Sequence, residues 1–274
     1  MVVAVPRFIC TTCGTQFPDS EAAPEECPIC LDERQYVGWD GQTWTTLREL
    51  QADHRNVLRE EEPGLTGIGT EPEFAIGQRA LLLQASAGNI LWDCVSLLDD
   101  ETIARVRELG GLAAIALDHP HFYSSMVEWS EAFGDVPIYV HEADREWVMH
   151  PAPSIDFWSG DRRELGPGLT LVRCGGHFPG GTVLHWADGC NGRGALLSGD
   201  IITVVPDRRY VSFMYSYPNL IPLPAESVRR IAAAVEDLPF ERIYGGWFGR
   251  VVAADGKGAL ARSAERYVLA IGGE

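Results

Sequence analysis

The sequence predicts a mixed α/β protein with a small cysteine-rich segment at its N-terminus, and two observations lead to this fold class. Four cysteines form two C-x-x-C pairs within the first thirty residues, a stretch too short to bury a hydrophobic core of its own. After residue 74, apolar runs typical of strands alternate with runs typical of helices. We therefore expect a small segment over residues 1–45, a helix and linker over 46–73, and a larger domain over 74–274.

Composition narrows the classes of partner. The chain has 274 residues, and its 22 Lys+Arg against 39 Asp+Glu give a formal net charge of −17 at pH 7. This balance weighs against nucleic acid or an anionic membrane, because both are bound through clustered basic side chains. No apolar run approaches the roughly 18 residues of a membrane span, and the first ten residues lack the features of a secretion signal. We expect a cytoplasmic protein that acts on a small molecule and can form a homo-oligomer.

The two cysteine pairs predict a metal site. Cys10 and Cys13 form one knuckle, Cys27 and Cys30 form the other, and thirteen residues separate them. Each knuckle directs two sulfurs at one point, so two knuckles give a tetrahedral thiolate site. The segment resembles a rubredoxin-like zinc ribbon, although Leu31 stands where rubredoxins usually carry a glycine. Zinc is therefore the favoured metal and iron the minority alternative, with four unrelated free thiols as the other interpretation.

The elements after the ribbon can be predicted in order. The ribbon itself, with two basic and six acidic residues over 1–35, suits a structural or protein-contact role. Residues 36–44 predict a hairpin with its turn at Asp40 and Gly41. Thr46 and Glu49 match a capping box that starts a helix reaching residue 58, and residues 63–73 suit a linker.

The larger domain opens with a predicted hairpin and then alternates between strand and helix. The hairpin joins strands over 80–84 and 89–94, and Asp99 or Asp100 caps a helix that stops before two glycines at 110–111. A continuous apolar run over 112–117 predicts a buried strand. Further predicted helices cover 126–133, 143–149, 224–235 and 257–269, and further strands cover 137–140, 169–173, 182–186, 195–197 and 241–244.

Metal-ligating residue types follow three of these strands. The run DHPH at 118–121 places two histidines one residue apart, the run GGHFPGG at 175–181 carries His177 among glycines, and the run SGD at 198–200 ends on a carboxylate. Two imidazoles separated by one residue can face one ion, and glycines allow the backbone to approach a site closely. Together His119, His121, His177 and Asp200 predict a mononuclear metal site.

These motifs, in this order, resemble those of the metallo-β-lactamase superfamily. The similarity covers residues 74–274 and includes an H-x-H turn, a G-H-x-P-G-G turn, an S-G-D turn and a late strand ending in two glycines. The resemblance implies a four-layer αββα sandwich, an α+β arrangement with a metal site at one edge of its two sheets. It also implies that His119, His121 and His177 fill the first metal site and that Asp200 takes the position of the bridging carboxylate.

Three departures from the family pattern concern the second metal. The family run is H-x-H-x-D-H, but this chain has Tyr123 in place of the aspartate and Ser124 in place of the histidine. Trp247 follows the late glycine pair where the family has its last histidine. An indole cannot ligate a metal, and a neutral serine is a weak ligand. A standard binuclear hydrolase is therefore not expected.

Three functions remain open. In the first, one zinc ion activates water for hydrolysis of an ester, thioester or lactone. Asp200 acts as the base or orients the water. Tyr123 either donates a hydrogen bond to the developing oxyanion or packs as an aromatic side chain. In the second, His119, His177 and Asp200 hold one iron ion, which resembles the persulfide dioxygenase branch of the superfamily. In the third, the domain is catalytically degenerate and binds a ligand or partner. Hydrolysis of β-lactam antibiotics is disfavoured, because nothing suggests export.

Three further residues are candidates for substrate binding. Tyr215 lies in an aromatic-rich run that either lines a pocket or packs as a core strand. Trp247 and Arg250 lie at the expected rim of the metal site, where Arg250 either binds an anionic substrate or forms a surface ion pair.

Two other residues are also considered. His185 lies in a predicted strand and is expected in the core, and Cys174 is either a nucleophile or a buried inert thiol.

Overall fold

The computed structural model describes residues 5–272, which form two compact units. The first comprises the described residues up to Tyr139 together with Arg145–Asp156, and the second comprises Val140–Asp144 and the described residues from Phe157 onward. The range 74–274, predicted as a single domain, therefore contributes to both units. None of the helices within residues 5–272 has the length and apolar character needed to cross a membrane.

The N-terminal segment of the first unit is a three-stranded antiparallel ribbon. Its strands are β1 (Arg7–Cys10), β2 (Gln16–Asp19) and β3 (Trp44–Thr46), and their order is β2-β1-β3. A single helical turn, α1 (Pro28–Leu31), carries the second knuckle. The predicted small cysteine ribbon is confirmed.

The rest of the first unit is built on a seven-stranded sheet whose spatial order equals its chain order. The strands are β4 (Arg55–Glu62), β5 (Leu65–Glu71), β6 (Arg79–Leu83), β7 (Ile90–Trp92), β8 (Ala114–Ala116), β9 (Ile138–His141) and β10 (Ile155–Trp158). Pairing is antiparallel from β4 to β7 and parallel from β7 to β9. The helices are α2 (Leu47–Asp53), α3 (Asp100–Glu108) and α4 (Met126–Ala132), with a 3-10 segment at Pro120–Phe122. A second 3-10 segment, Glu142–Trp147, belongs to the second unit up to Asp144 and to the first unit from Arg145, and the last residues of β9 and β10 also belong to the second unit.

The second unit is built on a six-stranded sheet with two short hairpins beside it. The chain forms β11 (Arg162–Gly166), β12 (Leu169–Arg173), β13 (Thr182–Trp186), β14 (Ala195–Gly199), β15 (Thr203–Val204), β16 (Val211–Ser212), β17 (Met214–Ser216), β18 (Ile221–Pro222), β19 (Arg242–Gly245) and β20 (Val251–Val252). The sheet order is β11-β12-β13-β14-β19-β20, and its only parallel pair is β14 with β19. The helices are α5 (Gly189–Gly192), α6 (Ala225–Ala234) and α7 (Gly256–Ala270).

The core of the second unit joins its two long helices to its sheet. Val228 and Ile231 of α6 and Leu260 of α7 belong to one buried cluster with Val172 and Ile243 of the sheet. Burying side chains of this size stabilises the unit by about 1.5–3 kcal/mol each. The cluster therefore holds the helices against the sheet, and the loops after β12 and β14 extend from the strands of that sheet.

Two predicted helix starts are confirmed with their caps. The hydroxyl of Thr46 accepts from the backbone N–H of Glu49, while the Glu49 carboxylate accepts from the N–H of Thr46 at 2.9 Å. The carboxylate of Asp99 accepts from the N–H of Thr102 at 2.7 Å. In both cases a side chain satisfies a backbone donor that the helix leaves open.

Four predictions between residues 36 and 149 are wrong in detail, and three of them concern residues 36–73. Residues 36–44 contain a turn but no hairpin, because the strand that starts at Trp44 pairs with β1 instead. The helix from Thr46 ends at Asp53, and residues 63–73 are not a linker, because Pro63 and Gly64 form a two-residue turn between β4 and β5.

Of residues 143–149, predicted as a helix, only 143–147 are helical, and they belong to an irregular 3-10 segment, Glu142–Trp147. The N–H of Ala143 donates to Nδ1 of His141 at 3.1 Å, and Asp144 leaves the helical region with φ −110° and ψ 15°. Side chains that bond nearby backbone compete with a regular helix. The remaining predicted strands and helices are confirmed to within a few residues at each end.

Candidate metal centres

The four ribbon cysteines form a compact, buried group in the first unit. Their sulfurs all lie within 4.8 Å of one another, and the Cys10–Cys30 and Cys13–Cys27 pairs are 3.5 and 3.7 Å apart. Zinc–sulfur bonds of about 2.3 Å in a tetrahedron require neighbouring sulfurs about 3.8 Å apart. The donor set and spacing therefore fit a tetrahedral metal ion, and this cluster can hold one.

The second knuckle explains why the chain has leucine where a glycine was expected. Cys27 to Cys30 run into the helical turn α1, and the N–H of Leu31 bonds the carbonyl of Cys27 at 3.0 Å. This is the ordinary helical pattern, which any L-residue adopts. The first knuckle is different, since Gly14 has φ +82°, a conformation that favours glycine.

The charge state of the cluster also favours a cation. Hydrogen bonding from the Cys13 thiol lowers the pKa of Cys10, and the same contact raises the pKa of Cys13. Neighbouring thiols thus stabilise the thiolate form of Cys10 but disfavour a second thiolate at Cys13. A bound divalent ion would allow both to be deprotonated, because metal-bound thiols are thiolates. The amide of Gln42 adds a hydrogen bond to Sγ of Cys10 at 3.0 Å.

The H-x-H turn of the first unit lies at the edge where two parallel strands end. Asp93 follows β7, and its carboxylate accepts from the N–H of Asp118, which follows β8, at 3.0 Å. Oδ1 of Asp118 lies 2.8 Å from Nδ1 of His119, and both side chains are fully buried. The rings of His119 and His121 are 5.0 Å apart between centroids. A carboxylate on one ring nitrogen fixes the orientation of an imidazole and is common behind metal-ligating histidines.

Tyr123 and Ser124, which stand where the metallo-β-lactamase pattern has an aspartate and a histidine, are both buried, at 2% exposure. The hydroxyl of Ser124 accepts from the amide of Gln78 at 2.8 Å and donates to the carbonyl of Cys94 at 3.2 Å. Serine is therefore part of a local network of hydrogen bonds. Tyr123 continues the 3-10 turn through its N–H to the carbonyl of Pro120 at 3.3 Å.

The G-H-x-P-G-G turn of the second unit fixes His177 from both sides. Nδ1 of His177 lies 3.2 Å from the carbonyl oxygen of Met214, a backbone partner that orients the ring. Beyond the histidine, the carboxylate of Asp144 accepts from the N–H of Gly180 at 2.7 Å. A Cβ at Gly180 would lie 2.7 Å from that carboxylate, so the close approach requires glycine.

Asp200 follows β14 and is 4% exposed. Its backbone oxygen accepts from the phenol of Tyr217 at 2.6 Å and from the hydroxyl of Thr203 at 3.1 Å. The ring of Tyr217 also packs edge-on against His177, with centroids 5.6 Å apart. Tyr217 thus joins two predicted site residues of the second unit. Sequence reasoning passed over it, and the only signal was its place in the aromatic-rich run.

The three candidate substrate residues also lie in the second unit, and all are half-buried. Tyr215 follows Met214 in β17. The turn that carries Trp247 and Arg250 adjoins the Asp200 turn, because the N–H of Gly246 bonds the carbonyl of Gly199 at 2.9 Å. Their role in binding a substrate stays a prediction.

Two other sequence candidates are structural. His185 lies in β13, where its Nε2 is 2.7 Å from the carbonyl of Pro239, and burial lowers its pKa. Cys174 is buried, and burial raises the pKa of its thiol to about 12. A thiol with that pKa is protonated at neutral pH and inert as a nucleophile.

The structural comparisons define the class of fold. The chain is similar to VMB-1 (TM-score 0.58, 14% identity, covering 79% of this chain and 98% of that one) and to the DIM-1 metallo-β-lactamase (0.58, 13%, 79% and 98%). It is also similar to a metallo-β-lactamase from Cronobacter sakazakii (0.51, 19%, 81% and 96%). The chain therefore has the metallo-β-lactamase fold, which confirms the fold implied by the motifs.

The sequence comparison gives the family. The chain is 54% identical over 272 residues, 98% of either chain, to a Bacillus subtilis (strain 168) protein with the name Uncharacterized protein YmaE. It belongs to the same family as YmaE. No family model matches the chain.

Proposed function

We propose that this chain is a metal-dependent hydrolase of a small ester, thioester or lactone, with one metal ion held by His119, His121 and His177. One observation carries the proposal. In each unit a site histidine has its Nδ1 beside an oxygen, Asp118 for His119 and the Met214 carbonyl for His177. An oxygen beside Nδ1 leaves Nε2 of each ring as the nitrogen for a metal ion, which is the arrangement common behind metal-ligating histidines.

The donor chemistry fits the proposed ion. Imidazole nitrogens together with a carboxylate suit zinc or iron(II), and His119, His121 and Asp200 are all at least 96% buried. These residues would hold a zinc ion, which would supply a coordinated water with its pKa lowered from about 15.7 to about 7. Asp200 would accept the proton of the attacking water or orient that water, and the phenol of Tyr123 would donate to the oxyanion that forms on the substrate.

We propose a single metal ion at this site because the positions that would bind a second ion are occupied by residues other than the usual ligands. Ser124 uses its hydroxyl for Gln78 and for the carbonyl of Cys94. Trp247 places an indole, which cannot ligate a metal, at a second of these positions, and Tyr123 replaces the carboxylate at the third. In the proposed enzyme, these residues shape the pocket around the substrate.

Substrate binding is assigned to three residues of the second unit. Tyr215 and Trp247 supply aromatic surface, and Arg250 supplies a positive charge for an anionic group of the substrate. We further propose a cytoplasmic location, because the ribbon needs four reduced thiols and the cytoplasm maintains them.

Elemental analysis combined with hydrolysis assays tests the function. We expect about two metal ions per chain in the wild type, and loss of one in His119→Ala or His177→Ala with the ribbon ion retained. The same variants are expected to lose hydrolysis of an aryl ester, a thioester and a lactone by at least about a hundredfold. His185→Gln, which changes a buried histidine outside the site, is the control. Unchanged metal content in His119→Ala would contradict the proposal.

A further inference from the structure

The first cysteine knuckle contacts the segments that flank the H-x-H turn, all within the first unit. The carbonyl of Gly14, the residue after Cys13, accepts from the hydroxyl of Ser96 at 2.7 Å. Two residues later, the N–H of Gln16 donates to the carbonyl of Ser124 at 3.0 Å. Gln16, Ser96 and Ser124 are all buried, so water does not compete for these bonds.

The two contacted serines are bonded directly into the H-x-H turn. The hydroxyl of Ser125 donates to the carbonyl of Ser96 at 2.8 Å. The hydroxyl of Ser124 donates to the carbonyl of Cys94, whose own N–H donates to the carbonyl of Phe122 at 3.2 Å. Phe122 closes the 3-10 turn onto the carbonyl of His119 at 3.0 Å. A continuous hydrogen-bonded path thus runs from the knuckle to His119.

The fit between the knuckle and this segment leaves little freedom. A Cβ at Gly14 would lie 2.5 Å from Oγ of Ser96. Ser124 is held in the left-handed region with φ +44°, a conformation that is strained for a non-glycine residue and persists only when its surroundings enforce it. Ser124 is held by the bonds that it accepts from Gln16 and Gln78 and by the bond that it donates to the carbonyl of Cys94.

We infer that the metal ribbon is a positioning element for the H-x-H turn. The four thiolates and their ion fix the first knuckle, Gly14 and Gln16 fix Ser96 and Ser124, and these residues hold the turn that presents His119 and His121. The inference rests on the proposed function for the role of the two histidines. It adds that Gly14, Gln16 and Ser96 are positioning residues for that site, although none of them is a ligand.

The same contacts explain the serine at position 124. Its hydroxyl and carbonyl both serve the junction with the ribbon, and a Cβ on Gly14 would come within 3.8 Å of that hydroxyl. An imidazole at this position would have to displace Gln78 or the knuckle. In this chain the position of a second-metal ligand has become the docking point of the ribbon.

Ser96→Ala tests the inference while leaving every cysteine and histidine in place. It removes the hydroxyl that bonds Gly14, and a buried hydrogen bond of this kind corresponds to roughly a three- to tenfold change in an equilibrium. We expect hydrogen exchange of the amides over 119–125 to speed up by roughly that factor. We also expect cobalt(II) at the histidine site to bind about three- to tenfold more weakly, followed by its d–d absorption against a competing chelator.

The matched control is Ser130→Ala. Ser130 is also buried in the first unit and donates to a single backbone carbonyl, that of Val136 at 2.6 Å. Both variants should keep the ribbon ion, which thiolate-to-cobalt charge-transfer bands report. If Ser96→Ala leaves exchange over 119–125 equal to that of Ser130→Ala, the inference is wrong.

Removal of the ribbon ion provides a second test on the full chain. Cys30→Ser is expected to raise exchange over 119–125 as Ser96→Ala does, and unchanged exchange there would overturn the inference. Failure of the proposed function gives a different result. In that case the wild type binds cobalt only with thiolate bands, while the exchange measurements still decide whether the ribbon holds the turn.

Discussion

The phenolic hydroxyl of Tyr217 donates a 2.6 Å hydrogen bond to the backbone oxygen of Asp200. The same ring packs edge-on against His177, so one side chain fixes both the loop after β14 and the imidazole after β12. Backbone oxygens at the end of a strand need a partner when they are buried. Tyr217 supplies it and sets the direction in which Asp200 leaves the strand.

We predict that Tyr217→Phe impairs hydrolysis more than it impairs folding. The ring contact with His177 remains, but the carbonyl of Asp200 loses its shorter hydrogen bond. The free energy of unfolding should fall by about 1 kcal/mol, and kcat by about five- to tenfold as Asp200 shifts. Urea denaturation and steady-state kinetics measure the two effects separately.

Tyr267→Phe is the control for this prediction. The Tyr267 hydroxyl accepts from the N–H of Leu223 at 2.7 Å and, like Tyr217, the residue is half-buried in the second unit. The loss of stability should be similar, with activity per folded molecule unchanged. Equal kcat values for Tyr217→Phe and Tyr267→Phe would refute a role for Tyr217 in the site.

The contact between Asp144 and Gly180 leads to a second prediction. Gly180→Ala places a methyl group 2.7 Å from the Asp144 carboxylate, closer than ordinary van der Waals contact. We expect a loss of about 1–3 kcal/mol in the free energy of unfolding and weaker cobalt(II) binding at the histidine site, because the loop carries His177. Chemical denaturation and a chelator competition measure these.

Gly38→Ala shows what an added methyl group does where space exists. The nearest atom to a Cβ there is the carbonyl oxygen of Gly41 at 3.8 Å, an ordinary contact. Stability should change by less than about 0.5 kcal/mol. A Gly180→Ala protein as stable as Gly38→Ala would show that the Asp144 loop adapts.

The sequence was informative wherever a local pattern has one structural solution. The two C-x-x-C pairs, the Thr46–Glu49 capping box and the strand ends that carry His119 and His177 can all be predicted from the sequence. The cysteine pairs and the capping box each depend on residues that lie within a few positions of one another. The histidines are recognisable because this residue type, directly after a buried strand, indicates a metal site. Resemblance to a known family then supplied the fold that periodicity alone could not.

Failures of prediction occurred where distant residues decide the structure. Trp44 pairs with β1, some thirty-five residues earlier in the chain, so its own neighbours suggested the wrong hairpin. Asp144 leaves the helix to bond Gly180, and Tyr217 acquires its role only through contact with Asp200. Pro63 and Gly64 are the exception, because this residue pair is typical of a tight turn and the local sequence therefore indicates one, although a linker was predicted.

The ribbon gives a third prediction, in which cysteines of two kinds respond differently. Cys13→Ser should remove one metal ion per chain and lower stability by several kcal/mol, because binding energy at such a site contributes directly to folding. Cys174→Ser should keep all metal and all activity, since this thiol is buried and only donates weakly to the carbonyl of Val172. Elemental analysis, thermal unfolding and the ester assay distinguish them. Metal loss in Cys174→Ser would contradict the assignment of the site.

The last prediction concerns acid, and it follows from His185. Burial lowers the pKa of its imidazole below the ordinary 6.5, while the bond to the Pro239 carbonyl raises it and nearby Arg162 lowers it further. The folded chain therefore holds His185 neutral at pH values where the unfolded chain already binds a proton. Because the unfolded state binds more protons there, the free energy of unfolding falls as pH decreases below about 6.5.

His185→Gln removes this titration while retaining a side chain that can donate to the Pro239 carbonyl. At pH 7.5 the wild type should be the more stable protein, and its advantage should shrink as the pH falls to 5.5. Urea denaturation of both proteins at three pH values measures the difference, with His54→Gln, at the C-terminal end of α2, as the control. Parallel pH profiles for wild type and His185→Gln would show that protonation of His185 makes no contribution to acid sensitivity.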